Sequence, residues 1–175
     1  MSNYIRAFVP GGTFFFTVCL ADRSQVLLVE QADLLRRCFE RERLAHPFLT
    51  DAAVVLPDHR HCIWTLPPND GDFSNRWRRI KAAFSAALPE SEHRSRSRLQ
   101  RGERGIWQRR FWEHSIRDER DLAAHIDYIH FNPVKHGYAD CAADWPLSSF
   151  NRYVEQSRLP ADWGGDFEPA VDPPD

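Results

Sequence analysis

Lysine is almost absent from this chain of 175 residues, in which only Lys81 and Lys135 are lysines. Arginine therefore carries the positive charge, and its planar guanidinium suits bidentate contact with phosphate and stacking on bases. Eleven basic residues fall between positions 76 and 110, against three glutamates in the same stretch. This distribution favours a nucleic-acid partner. The alternative explanation is the arginine-rich codon usage of a high-GC genome.

The four cysteines show no C-x-x-C spacing and no dense disulfide framework. We expect them to be small buried hydrophobes in a reducing compartment. No stretch approaches the roughly 20 apolar residues that a membrane-spanning helix needs, and the first ten residues carry no apolar segment of signal-peptide length. The sequence therefore predicts a cytoplasmic protein without a membrane partner.

Chain length and apolar content favour a single domain over residues 1–163, followed by an acidic, proline-rich tail at 164–175 that we expect to be disordered. The patterns predict strands at 13–20, 52–56 and 59–66, an extended segment at 106–116, and helices at 30–45, 74–88 and 118–132. The polar, arginine-rich residues 89–105 are predicted to form a mobile loop. This order of elements suggests an α+β sandwich with a central antiparallel, ferredoxin-like sheet.

Two pairs of residues carry the chemistry. His59 and His61 alternate along a predicted strand, so both side chains point to one side and Arg60 to the other. Tyr128 and Asn132 are one turn apart near the end of the last predicted helix, which places the phenol and the amide on one face. Two imidazoles and the amide oxygen of Asn132 would provide three ligands for one ion. The pattern predicts a metal site beside a tyrosine nucleophile.

Such a site suits the cleavage of a phosphodiester. The barrier lies mainly in positioning the groups for in-line attack and in neutralising charge on the nonbridging oxygens. A phenol has a pKa near 10, and a depression of about two units would be worth about 2.7 kcal/mol. Attack by the phenolate would leave a covalent phosphotyrosine that conserves the energy of the broken bond for rejoining.

The segments PDHRHCIW and YIHFNPVKHG resemble the two signatures of the single-tyrosine HUH-type transposases, specifically the REP-associated tyrosine transposases. The similarity extends to GGTFFFT, WQRRFWEHSIRD and DWPLSSF, in that order along the chain. The resemblance implies a ferredoxin-like fold and a single-stranded DNA substrate carrying a palindromic hairpin. It assigns His59, His61 and Asn132 to a Mg²⁺ or Mn²⁺ ion and Tyr128 to the nucleophile, with a 5′-phosphotyrosine intermediate and a free 3′-OH.

One position departs from the family pattern, because Arg60 stands where a hydrophobic residue is usual. We expect its side chain to lie at a sheet edge or to reach toward DNA, away from the metal. His130 and His136 are interpreted as helix-terminal residues with phosphate contact as a minority role. The residues expected to grip DNA backbone or hairpin are Tyr4, Arg6, Arg76, Arg79, Lys81, Arg109, Arg110 and Lys135.

Two alternatives stay open at this point. A domesticated DNA-binding protein would keep the fold without cutting, and a zinc hydrolase could use the two histidines. The absence of a His-Glu-x-x-His helix speaks against the hydrolase. Both a monomer and a homodimer are compatible with the sequence, and so are many palindromes.

Overall fold

The structure, a computed structural model, describes residues 9–90, 94–164 and 169–174. Its strands are β1 (Thr13–Cys19), β2 (Leu49–Val55), β3 (His59–Thr65) and β4 (Trp112–Ser115). Its α-helices are α1 (Leu27–Glu30), α2 (Ala32–Ala45), α3 (Phe73–Ala86), α4 (Arg96–Gln100), α5 (Glu119–Lys135) and α6 (Phe150–Glu155), with a 3₁₀ turn at Ala142–Asp144.

The four strands form one antiparallel sheet in the order β2-β3-β1-β4. This is the ferredoxin-like order, in which β1 and β3 are the two inner strands, and the predicted fold class is confirmed. The run Phe14 to Phe16 is continuously apolar because both faces of β1 are covered.

Helices cover both faces of the sheet, so there are two core clusters. On one face α2 and α3 pack against Phe14, Phe16 and Trp64. On the other, α5 and α6 pack against Phe15 and Ile63. Since side chains alternate along a strand, every second residue of β3 points toward α5. This second face holds the site described below.

The predicted helix boundaries differ from the structure in three places. The predicted helix 30–45 is preceded by a separate short helix, α1, and α3 begins one residue before Ser74 with Asp72 as its N-cap. The helix α5 does not end before Pro133 but continues to Lys135. A proline near the helix end forfeits only its own N–H, and the next turn still closes through His136 N–H to the Asn132 carbonyl at 3.1 Å.

The predicted mobile loop at 89–105 is wrong for residues 96–100, which form α4. Residues 91–93 of that prediction lie outside the described residues. Arg104 fastens the segment to the end of α3 by donating to the carbonyl oxygens of Ser85, Leu88 and Pro89 at 2.6, 3.1 and 2.8 Å. Because these bonds are long-range, composition alone gave no sign of them.

Among the described residues, no helix combines the length and the hydropathy that crossing a membrane requires.

Candidate active site

The inner strand β3 presents its two histidines on the α5 side of the sheet, as predicted. The ring centroids of His59 and His61 are 4.9 Å apart, and both side chains are buried. Arg60 points to the opposite face, where its guanidinium carbon lies 3.8 Å from the ring centroid of Phe39. The pleat of one strand thus separates the imidazoles from the guanidinium.

The expectation that Arg60 lies at a sheet edge or reaches toward DNA is wrong, because β3 is an inner strand and the side chain is half-buried against α2. Burial lowers the pKa of Arg60. The stacking contact with Phe39 compensates part of the desolvation of the guanidinium. The departure from the family pattern is therefore accommodated in the other core, away from the histidines.

Neighbouring side chains orient both imidazoles. The Nδ1 atom of His61 lies 3.0 Å from the hydroxyl of Thr17, its cross-strand partner on β1, and that of His59 lies 2.7 Å from a carboxylate oxygen of Asp58. Burial raises the pKa of Asp58, but hydrogen bonds from Arg23 and His59 outweigh it and hold this pKa below its usual range. Because each Nδ1 is engaged, Nε2 is the atom through which each ring would bind a metal.

The helix α5 supplies the other two predicted site residues. Asp118 caps its N-terminus by accepting from the backbone N–H of Asp121 at 2.9 Å. One face of the helix then lies on the sheet, so that the ring of Tyr128 packs edge-on against His61 at a centroid distance of 5.2 Å. Asn132 follows one turn later and is fully buried.

The side-chain amide of Asn132 is buried in a way that suits a metal ligand. Within the described part of the chain, neither its Oδ1 nor its Nδ2 atom has a hydrogen-bond partner, although both are buried. An unsatisfied buried amide costs about 1–3 kcal/mol. The oxygen is a hard donor of the kind that divalent ions accept together with imidazoles. The residues present therefore fit a metal ion.

A third imidazole, which the sequence analysis did not assign to the metal, lies next to the pair. His136, the C-cap of α5, has its ring centroid 5.3 Å from that of His59. Its position in the segment YIHFNPVKHG was the available signal. His130 is different, because its side chain is fully buried and its Nε2 lies 2.9 Å from the hydroxyl of Ser149. Burial lowers the pKa of His130 to about 4. Because its side chain has no exposed surface, it cannot contact phosphate in this conformation.

The hydroxyl of Tyr128 is covered by the C-terminal segment. It donates to the backbone carbonyl of Pro173 at 3.4 Å, and the side chain of Tyr128 is fully buried. The ammonium of Lys135 lies 3.3 Å from the same hydroxyl and 2.5 Å from a carboxylate oxygen of Asp172. Val171 packs against the α5 cluster. An apolar contact and an ion pair place residues 169–174 on α5. The other residues of the predicted disordered tail, 165–168 and 175, lie outside the described residues.

Arg76 does not serve as a DNA contact in this structure, contrary to the prediction. It is buried, forms an ion pair with Asp70 at 2.6 Å, and donates to the carbonyl oxygens of His46, Pro47 and Asp72. A guanidinium with five donors can join several loops in this way. The basic composition of α3 could not distinguish this buried arginine from its exposed neighbours.

The other residues predicted to contact DNA do not form one group in the structure. Arg79 pairs with Glu42 at 2.8 Å, Lys81 donates to the Gln108 carbonyl at 3.0 Å, and Arg109 pairs with Glu103 at 2.8 Å. Arg110 is exposed. Tyr4 and Arg6 lie outside the described residues. Of the eight predicted contacts, the structure brings Lys135 directly to the tyrosine.

A second polar cluster joins β4 to α5. Asp121 accepts from Nε2 of His114 at 2.8 Å and from the backbone N–H of Arg117 at 3.0 Å, and its other oxygen lies 3.1 Å from Nδ1 of His125. Burial raises the pKa of Asp121, but the hydrogen bonds from His114 and Arg117 outweigh it and hold the value at about 2. The carboxylate of Asp121 therefore stays ionised and holds the start of α5 against β4.

The chain is similar to known proteins over almost its whole length. A REP-associated tyrosine transposase of Escherichia coli K12 is 47% identical over 166 residues, which is 95% of this chain and 93% of that one. The chain belongs to the REP-associated tyrosine transposases. A relative from Haemophilus influenzae is 46% identical over 166 residues, 94% of each chain. No family model matches the chain.

A solved structure of a REP-associated tyrosine transposase bound to a REP hairpin superimposes over the full length of both chains, with a TM-score of 0.82 and 44% identity. The transposase assignment and the ferredoxin-like α+β fold made from the sequence are both confirmed. On the α5 side of its sheet, this transposase fold brings together the four residues His59, His61, Tyr128 and Asn132.

Proposed function

We propose that this transposase cleaves and rejoins single-stranded DNA that carries a palindromic, REP-like hairpin, through a 5′-phosphotyrosine intermediate. The single observation that carries this proposal is the convergence of Tyr128, His61 and the orphaned amide of Asn132 on one buried face. A tyrosine nucleophile beside two imidazoles that can hold a metal ion suits the covalent cleavage of a phosphodiester.

Three residues would hold a Mg²⁺ or Mn²⁺ ion, namely His59 and His61 through Nε2 and Asn132 through Oδ1. When bound, the ion would supply Lewis-acid polarisation of the scissile phosphate. Imidazole ligands shift the preference toward Mn²⁺, while the amide oxygen suits both ions. The ring of His136 packs edge-on against that of His59 at a centroid distance of 5.3 Å.

The steps carried by the protein's own groups begin at Tyr128. Its hydroxyl loses a proton to solvent water, and the phenolate oxygen attacks the phosphorus in line with the leaving 3′ oxygen. A bond forms between the tyrosine oxygen and phosphorus while the bond between phosphorus and the 3′ oxygen breaks. The released 3′ oxygen takes up a proton. Rejoining is the reverse step, in which a 3′-OH attacks the phosphotyrosine.

The ammonium of Lys135 lies where charge develops during this attack. At 3.3 Å from the phenol oxygen and 4.9 Å from the ring centroid, it favours negative charge on that oxygen. In the structure the ammonium of Lys135 contacts both Tyr128 and Asp172. If residues 169–174 move away from α5, Lys135 loses Asp172 and can still interact with the phenol oxygen of Tyr128.

Two observations support a hairpin in single-stranded DNA as the substrate. The similar solved structure holds a REP hairpin, and this chain concentrates arginine on α3 and the segment that follows it. We propose that the hairpin positions the strand and that the adjoining unpaired strand delivers the phosphate to Tyr128. Both a monomer and a homodimer satisfy this scheme.

A denaturing-gel assay tests the proposal. Wild-type protein and Tyr128→Phe are incubated with labelled hairpin DNA, with Mn²⁺, with Mg²⁺ and with chelator. We expect a covalent protein–DNA band in wild type that depends on the ion and is absent from Tyr128→Phe. Tight binding without an adduct under any condition would instead assign the chain to the non-cleaving DNA-binding proteins.

A further inference from the structure

A cavity of about 840 Å³ lies between α3 and residues 98–109, apart from the tyrosine site. We call it the arginine cavity. Six basic and two acidic residues line it, namely Arg78, Lys81, Arg98, Arg101, Arg104 and Arg109, and Glu90 and Glu103. Its volume falls within the roughly 300–1,000 Å³ typical of small-ligand sites. The excess of cations suits a ligand with phosphate groups.

The floor of the arginine cavity is aromatic. Trp77, Trp107 and Phe111 line it, and Phe111 is only half-buried. The ammonium of Lys81 lies 5.5 Å from the ring centroid of Phe111 and 5.8 Å from that of Trp107. Bases stack on such rings without regard to sequence, while the cations at the rim contact the backbone.

Four of the six basic residues of the arginine cavity form two pairs with different roles. Arg104 and Arg109 are held by hydrogen bonds within the wall, to carbonyl oxygens and to Glu103 respectively. Arg78 and Arg101 are exposed, and neither forms an ion pair with a carboxylate in the described part of the chain. The first pair shapes the cavity, and the second pair is available to an incoming phosphate.

We propose that the arginine cavity binds an unpaired base of single-stranded DNA together with its neighbouring phosphates. The base would stack on the half-buried ring of Phe111, which lies beside the buried Trp107, and the phosphates would contact Arg78 and Arg101. That this strand belongs to the transposase's own substrate rests on the proposed function. The binding itself does not, because the cavity and Tyr128 belong to the two different cores.

The position of the cavity has a geometric consequence for the substrate. Phe111 directly precedes Trp112, the first residue of the edge strand β4, whereas Tyr128 lies on the opposite face of the sheet. A strand that occupies both places must pass around an edge of the sheet. The arginine cavity would thus hold a nucleotide at a distance from the scissile phosphate. This contact would help to determine which phosphate of the DNA strand reaches Tyr128.

The experiment measures binding without cleavage. Full-length Tyr128→Phe protein in chelator is titrated against fluorescent dT₈, which forms no hairpin, and against an abasic octamer of equal charge, by anisotropy over a range of salt concentrations. We expect dT₈ to bind about tenfold more tightly than the abasic strand because of base stacking. Phe111→Leu should remove this difference and Phe111→Tyr should retain it, which separates loss of the ring from loss of folding.

The double variant Arg78→Ala/Arg101→Ala should weaken both strands alike and reduce the slope of log affinity against log salt by about 1 to 2. Arg37→Ala/Arg41→Ala is the matched control, since it removes the same charge from exposed positions of α2. Equal weakening by the two double variants would overturn the proposal, because it would mean that positive charge anywhere on the protein surface, and not the arginine cavity in particular, attracts the strand. Equal affinity for dT₈ and the abasic strand would also overturn it, because no base would then be bound. Either failure leaves the adduct assay unaffected, so the two proposals are tested separately.

Discussion

Removal of residues 169–175 should accelerate covalent attachment of DNA to Tyr128, the proposed nucleophile, because residues 171–173 cover its side chain. The hydroxyl is fully buried beneath the carbonyl of Pro173, so no phosphorus atom can approach it in this conformation. The proposed attack by Tyr128 therefore requires residues 169–174 to move away from α5.

The size of the effect follows from the contacts that movement breaks. The hydrogen bond between Tyr128 and Pro173 contributes about 0.5–1.5 kcal/mol. The ion pair between Lys135 and Asp172, which is largely exposed on the aspartate side, contributes about 0.2–1 kcal/mol. Partial burial of Val171 and Pro173 adds about 1–2 kcal/mol. A total of about 2–4 kcal/mol corresponds to an open fraction of roughly 1 in 30 to 1 in 1,000.

Adduct formation by the chain ending at residue 168 should therefore be about 30- to 1,000-fold faster than by wild type if opening is a fast pre-equilibrium. Quenched-flow sampling on denaturing gels, at saturating hairpin DNA and Mn²⁺, measures this rate. A chain ending at Pro174, which keeps the peptide carbonyl of Pro173, is the matched control and should react at the wild-type rate. Equal rates for all three chains would refute the inference that the segment limits access to Tyr128.

Three further predictions concern individual side chains. Arg76→Ala should lower the free energy of unfolding by about 3 kcal/mol in urea titrations, because it breaks a buried ion pair, and the folded protein should bind DNA unchanged; a large loss of affinity at full stability would contradict its structural role. Asp121→Asn should cost about 2 kcal/mol at pH 7. The pKa of this carboxyl is about 2 when folded and about 3.9 when unfolded, so its contribution is complete above about pH 4 and is lost as the pH falls toward 2. Thermal melts of both forms from pH 2 to 7 should converge at the acid end, and a constant gap would argue against this linkage. Asn132→Ala should abolish the rise in melting temperature caused by Mn²⁺ without destabilising the metal-free protein, since its amide makes no hydrogen bond among the described residues; an unchanged Mn²⁺ effect would remove Asn132 from the ligand set.

Local periodicity explains which parts of the site could be predicted. The side-chain period of a strand placed His59 and His61 together, and the helical period aligned Tyr128 with Asn132. Neither rule requires knowledge of the rest of the chain. The partners Thr17 and Asp58 that orient the imidazoles depend on strand pairing and turn geometry, which no single stretch of sequence discloses.

The parts that sequence reasoning missed are long-range or non-periodic. Residues 169–174 contain no regular apolar repeat, yet Val171 and Asp172 find complementary partners on α5. Arg76 looked like one more basic residue of α3, but its position on the buried stripe of that helix converts it into a connection between loops. Composition counts charges and does not distinguish exposed from buried ones.

Mass spectrometry of the covalent complex tests the central claim most directly. After reaction with hairpin DNA and Mn²⁺, nuclease and trypsin digestion would leave the nucleotide on the peptide of residues 121–135, in which Tyr128 is the single tyrosine. We expect a 5′-phosphate mass shift on Tyr128 in this peptide, absent from samples treated with chelator. A modified residue other than Tyr128, or an unmodified peptide despite DNA cleavage, would contradict it.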